Sequence, residues 1–233
     1  SSAEISDFVN LVRKREKARG LEDIAALPEV SSRLLRSALA DFCALPVGGM
    51  TLRSSEAMGT RVALIRHFIS DQLDFIKVAK HRFTIRYLND IVQRIISSES
   101  ARGSGRIGGK AAGLLLARAI LNTPEEGDNH DFNELVRYPE SWFVSTDVCE
   151  AFLNANDLQE YRSEKYKSME EIRNEKRMIR EIFRNSPMMP EVLEQLRAVL
   201  EEAGDCPLIV RSSSLLEDNF GSGFPGKYDS IFL

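Results

Sequence analysis

The sequence predicts an α+β chain, with a helical region over residues 1–96 followed by a mixed region over residues 97–233. Three observations carry this. Apolar residues recur at three- and four-residue spacing through almost all of the first 95 positions, the mark of amphipathic helices packing on one another. A Ser/Gly-rich stretch, Ser97 to Gly109, then interrupts the pattern. Beyond it, short apolar runs with β-branched members alternate with further helical stretches. The charge changes sign at the same place: residues 1–95 carry 15 Lys/Arg against 11 Asp/Glu, whereas residues 96–233 carry 16 against 24. Two regions with different surfaces follow from that reversal.

In the helical region, Phe8, Leu11 and Val12 open a first helix that Gly20 is placed to stop. Val30, Leu34, Leu35, Ala38, Leu39 and Phe42 form a second, before the break at Pro46-Val47-Gly48-Gly49. Val62, Ile65, Phe68 and Ile69 mark a third. Phe83, Tyr87, Leu88, Ile91, Val92 and Ile95 mark a fourth. No heptad run and no fixed-period repeat is present, which excludes a coiled coil and a solenoid.

After the break, Ala111 to Leu121 reads as an Ala/Leu-rich helix and Thr123 to Asp131 as an acidic loop. Trp142 to Ser145 reads as a short strand, and Ser145 or Thr146 is suited to cap the helix carrying Val148, Ala151, Phe152 and Leu153. Residues 159–184 read as a charged surface helix with Met178, Ile179, Ile182 and Phe183 on one face. Pro187 and Pro190 break it, and Pro190 suits the first turn of a helix reaching about Ala203. Pro207-Leu208-Ile209-Val210 reads as a buried strand, and Tyr228 to Leu233 as another.

The composition excludes several function classes. Hydrophobic residues at 43% and charged residues at 28% describe an ordinary globular chain, so disorder is not expected. The longest apolar run, Ala111 to Leu121, is interrupted by Arg118 and falls short of the ~20 residues a membrane helix needs. The early Glu4 and Asp7 argue against a secretory signal. Cys43, Cys149 and Cys206 are too scattered for a disulfide framework or a zinc site, which fits a cytoplasmic setting. A net charge of −4 gives no case for nucleic acid as partner.

Two segments carry chemistry. In Gly103-Ser-Gly-Arg-Ile-Gly108-Gly109-Lys110, glycines open a helix, so backbone N–H groups and the helix dipole can meet a phosphate while Lys110 adds a point charge. A flexible linker ending in a helix start is the alternative. Gly103, Gly105 and Gly108 match a dinucleotide fingerprint in spacing, but the sequence shows no clear strand before them and no βαβ repeat after them. A Walker A loop is excluded, because Ser104 and Ala111 stand where glycine and Ser/Thr are needed.

The second segment runs Val210-Arg211-Ser212-Ser213-Ser214-Leu215-Leu216-Glu217-Asp218, then Gly221, Gly223 and Gly226-Lys227. A strand delivering an arginine fork and hydroxyls to its end suits an anion, and the glycines suit a loop closing over it. Arg211 pairing with Glu217 or Asp218 is the alternative.

These segments resemble the nucleotide-binding domain of the pyruvate phosphate dikinase and phosphoenolpyruvate synthase family. Gly108-Gly109-Lys110-Ala-Ala-Gly113-Leu114 is similar to its Gly-Gly-Lys segment, and Phe143-Val144-Ser145-Thr146 to its Gly-Phe-Val-x-Thr segment. Ile179-Arg180-Glu181-Ile182 through Pro190-Glu191 is similar to its next helical pair. Val210-Arg-Ser-Ser-Ser-Leu-Leu-Glu-Asp218 resembles its Val-Arg-Ser-Ser-Ala-x-x-Glu-Asp motif, and Phe224-x-Gly226 its Phe-Ala-Gly. The elements fall in family order from about residue 104 onward, with no resemblance over 1–95. Trp142 replaces a family glycine, and Lys227 a family glutamine.

The resemblance implies the first part of an ATP-grasp-like fold over 97–233, binding ATP with Mg2+ and passing a phosphoryl group to a histidine on another domain. It assigns phosphate contact and catalysis to Lys110 and Arg211. Gly108, Gly109, Ser212, Ser213, Glu217, Asp218, Gly221, Gly223 and Gly226 would complete the nucleotide site. The family's metal-binding half and phosphohistidine motif would lie beyond Leu233, so the chain alone is expected to bind ATP weakly without turnover. His67, His81 and His130 read as structural or solvated. A non-catalytic module sensing nucleotide or phosphoenolpyruvate, with residues 1–96 contacting a partner protein, is the rival reading.

Overall fold

The computed structural model describes residues 2–27, 30–45, 52–98, 105–123, 132–162, 168–214 and 229–233. Among the described residues, five helices lie in the first region: α1 (Ser2–Ala25), α2 (Ser32–Cys43), α3 (Ser54–Phe68), α4 (Leu73–Arg82) and α5 (Ile85–Gln93). The structure departs from the sequence reading in three ways here. Helix α1 runs through Gly20 to Ala25. A helix cannot be stopped by glycine alone when the residues beyond it, such as Leu21, are fully buried against neighbours. Helix α4, absent from the sequence reading, buries Phe75, Ile76 and Ala79. Ile95, read as helical, leaves α5 for strand β1 (Ile95–Ile96).

The second region holds α6 (Gly109–Leu121), α7 (Phe132–Leu135), β2 (Phe143–Val144), α8 (Thr146–Ala155), α9 (Met169–Asn185), α10 (Pro190–Ala203), β3 (Ile209–Arg211) and β4 (Ser230–Phe232). Strands β1 and β2 pair in parallel, Ile95 with Phe143 and Ile96 with Val144. Parallel strands need a long crossover, and α6 lies within it. A small βαβ unit therefore brackets the glycine segment, although the sequence showed no strand before it; two residues are too few to leave a periodic signal. Strands β3 and β4 form an antiparallel ribbon. Its side chains are exposed, with Val210 at 53% and Ile231 at 57%. This corrects the expectation of a buried strand: apolar residues read as buried, but among the described residues no layer covers this ribbon.

Among the described residues, the charged stretch from residue 159 holds a 3-10 turn (Gln159–Arg162) and α9, whose start is fixed by a capping box between Ser168 and Glu171. Pro190 opens α10 as expected.

Among the described residues, two apolar cores result. The larger unites α1 to α5 through Leu21, Leu39, Leu64, Phe68, Phe83 and Leu88, and it continues into Ile107, Leu115 and Leu116 of the second region. The smaller joins Val148 and Phe152 of α8 to Met189 and Val192 around α10. The change of charge and composition near residue 96 is thus not a gap in packing: α6 is a wall of the helical core.

Candidate functional site

The two chemistry-bearing segments meet. The amide of Gly109, first residue of α6, donates to the Ser214 carbonyl at 3.0 Å, and the amide of Ala111 donates to Ser213 Oγ at 3.0 Å. Gly108, the residue capping α6, lies so close to Ser213 that a β-carbon there would overlap the Ser213 carbonyl. Glycine is required at 108 for this approach of one backbone to another.

Lys110 sits between the two bonded residues of α6. Arg211 ends β3 two residues before Ser213, no more than about 7 Å of extended chain away. Segments about 100 positions apart in sequence are therefore neighbours. Lys110, Ser212, Ser213 and Ser214 are half-buried and Arg211 is exposed. Glu217, Asp218, Gly221, Gly223 and Gly226 lie outside the described residues, as do Gly103, His130 and Lys227.

The contact also revises how the helix start works. Four N–H groups at a helix N-terminus lack intrahelical partners. Here the serine segment takes two of them, those of Gly109 and Ala111. Two of the helix-start donors are therefore already satisfied within the chain.

The glycine segment is anchored from behind. The Arg106 amide donates to Thr146 Oγ1 at 3.2 Å, and the Thr146 amide donates to the Arg106 carbonyl at 2.9 Å. Gly105 packs against Asp147 closely enough that a β-carbon would overlap the carboxylate. Ser145 occupies the capping position of α8, but its hydroxyl does not cap the helix. It reaches the Ile96 carbonyl at 2.9 Å and the Asp147 carboxylate.

Around this anchor lies a buried polar cluster that sequence reasoning missed. Asp147 is 5% exposed, and burial raises its carboxyl above the usual range, opposed by the Ser145 hydroxyl, the Val148 and Ser98 backbone and the Arg36 charge. Arg36 donates to the Val92 carbonyl at 2.8 Å and to Ser97 Oγ at 3.2 Å, over the ring of Phe68. Its Nε is buried without an acceptor, and burial lowers its pKa against the pull of Asp147. His67 pairs with Ser32 Oγ at 3.2 Å and is pushed down to about 4 by burial and by Arg106 and Arg36. A lone Arg, Asp or His in a helix pattern gives no sign of such pairing; only the fold assembles it.

Two clefts among the described residues lie away from Lys110 and Arg211. One, about 520 Å3, separates α2 from α10 between Arg33, Arg36, Glu194 and Gln195. The other, about 350 Å3, lies between α5, α6 and β2 beside Tyr87, Arg118 and Tyr138. Among the described residues no three His, Cys, Asp or Glu side chains gather to hold a metal ion. Nor is any helix long and apolar enough to cross a membrane.

A parallel βαβ unit whose glycine-opened helix meets the Arg-Ser-Ser-Ser end of a distant strand, behind a helical region, defines an α+β protein. The family model for the pyruvate phosphate dikinase, AMP/ATP-binding domain, matches residues 104–233, and the chain belongs to that family. Among curated proteins and solved structures, none matches it significantly.

Proposed function

We propose that this chain is the ATP-binding part of a dikinase-like phosphotransferase, with the nucleotide phosphates held where the Gly108–Lys110 segment meets Arg211–Ser214. The observation that carries this is the pair of hydrogen bonds from Gly109 and Ala111 to Ser214 and Ser213. They bring together the two segments of the chain best suited to anions. The donor set suits a polyphosphate. Lys110 supplies a point charge and Arg211 a planar fork for phosphate oxygens, with the Ser212 hydroxyl between Arg211 and the bonded serines.

Phosphoryl transfer depends mainly on positioning and on cations placed where charge spreads over the transferring oxygens. Lys110 and Arg211 perform that neutralisation, and the Ser213 and Ser214 bonds fix their backbones relative to each other. ATP supplies the phosphoryl group, and a histidine on another domain accepts it. The described residues hold no acidic trio for Mg2+; Glu217 and Asp218 are the acidic residues of the second segment.

Titration of the chain with Mg-ATP, AMP and phosphoenolpyruvate tests the reading, together with a phosphoryl-transfer assay on histidine-bearing domains. Adenine nucleotide is expected to bind in preference to phosphoenolpyruvate, with transfer only when the acceptor domain is supplied. Binding with no transfer under any condition would point to a nucleotide-sensing module. No nucleotide binding at all would overturn the proposal.

A further inference from the structure

The helical region reaches the glycine segment directly. Residues 105–108, outside any helix or strand, lead from Gly105 against Asp147 to the start of α6, and the C-terminal end of α3 docks on them. The Ile107 amide donates to the Phe68 carbonyl at 3.1 Å, and Arg106 Nε donates to the Arg66 carbonyl at 3.0 Å. Both carbonyls belong to the last turn of α3, where they have no intrahelical partner and where the dipole favours a cation. A terminal guanidinium nitrogen of Arg106 pairs with the Asp71 carboxylate at 2.7 Å, just before α4. Ile107 is 1% exposed and sits in the helical core. Two residues further on are Gly109 and its bond to Ser214; three further on is Lys110.

We propose that Arg106 is a positioning residue through which the α3–α4 corner sets the placement of the nucleotide segment, so that residues 1–96 act as a built-in scaffold for nucleotide binding. This rests on the reading that Lys110 contacts the nucleotide. The side chain of Arg106 bonds to Arg66 and Asp71. Its backbone is held on the other side by Thr146, so the segment is gripped between the helical region and α8. A segment held at 106 and 107 presents Gly109 and Lys110 in one register. Release from α3 lets that register vary, and the ordering cost then falls on ligand binding. By reciprocity, nucleotide bound at Lys110 tightens the α3–α4 corner.

The test is Mg-ATP titration and thermal melting of the intact chain and its R106A, R106K, D71N and K110A variants. R106A is expected to weaken binding about 5- to 50-fold, within the usual range of coupling. R106K and D71N, which each keep part of the contact, fall between R106A and the parent. The Arg106–Asp71 pair is half-exposed, so D71N should move the melting temperature little. If K110A abolishes binding while R106A binds like the parent, the positioning role is wrong and the nucleotide assignment stands. If K110A binds like the parent, the assignment fails and the scaffold inference falls with it. Should R106A not fold, hydrogen exchange on the parent decides. Added nucleotide should slow exchange at Ile107 and from Arg66 to Asp71, and unchanged rates there would overturn the inference.

Discussion

At the scale of single residues, Gly108 and His67 show how local chemistry sets what the chain tolerates. A methyl group at 108 would overlap the Ser213 backbone, which cannot yield as a flexible side chain would. G108A is therefore expected to cost about 1–3 kcal/mol, as overpacking does, and to loosen the serine segment from α6; denaturant unfolding measures it. Gly59, exposed in α3 with open space where its β-carbon would be, is the control. G59A should stabilise by about 0.5–1 kcal/mol, since glycine in a helix interior gives up more backbone entropy than alanine. His67 makes a pH prediction. Its folded pKa of about 4 lies below the unfolded value near 6.5, so the unfolded chain binds more protons between them. Stability should fall as pH drops from about 6.5 toward 4, and H67Q should flatten that loss. Asp147, with its raised pKa, works in the opposite sense, its contribution declining as pH rises through its folded pKa. The His67 effect is therefore read as the difference between parent and variant.

At the scale of elements, burial decides which apolar residues matter. Leu64 and Leu88 are 0% exposed. Truncating either to alanine should cost about 2–5 kcal/mol. V210T in the exposed β3 ribbon should change the unfolding free energy by less than about 0.5 kcal/mol. The same contrast explains what was legible in the sequence. Helices α2, α3, α5, α6 and α10 announced themselves through periodicity and through Pro190. Helix α4 did not, because Phe75, Ile76 and Ala79 make too short a face among charges to stand out. Strand β1 is two residues long and looks like the tail of α5. The 209–211 strand was legible as a strand but not as an exposed one, since burial depends on what packs over it. At the candidate site, the Gly-Gly-Lys and Arg-Ser-Ser-Ser segments stood out in the sequence because glycines, cations and hydroxyls cluster in them, and the structure brings them together. Arg106, Asp71, Arg36 and Asp147 were not, because any of them reads as a solvated charge until the fold pairs it.

At the scale of the whole molecule, the helical and nucleotide-binding regions share a core and a buried polar cluster. Ile107, Leu115, Leu116 and Phe143 close the helical core from the second region. Residues 1–96 expressed alone are expected to be helical by circular dichroism yet to melt below the intact chain, because that wall is missing. Equal melting temperatures would show that the helical region is self-sufficient.

The central claim is that Lys110 and Arg211 serve one phosphate site. A double-mutant cycle on Mg-ATP affinity with K110A, R211A and the double variant tests it most directly. Each single change removes a charge-assisted contact and should weaken binding about tenfold or more. Because both act on one ligand group, the double variant should fall short of the product of the two, a coupling of at least about 0.5 kcal/mol. Strict additivity, or parent-like affinity in either single variant, would contradict the account.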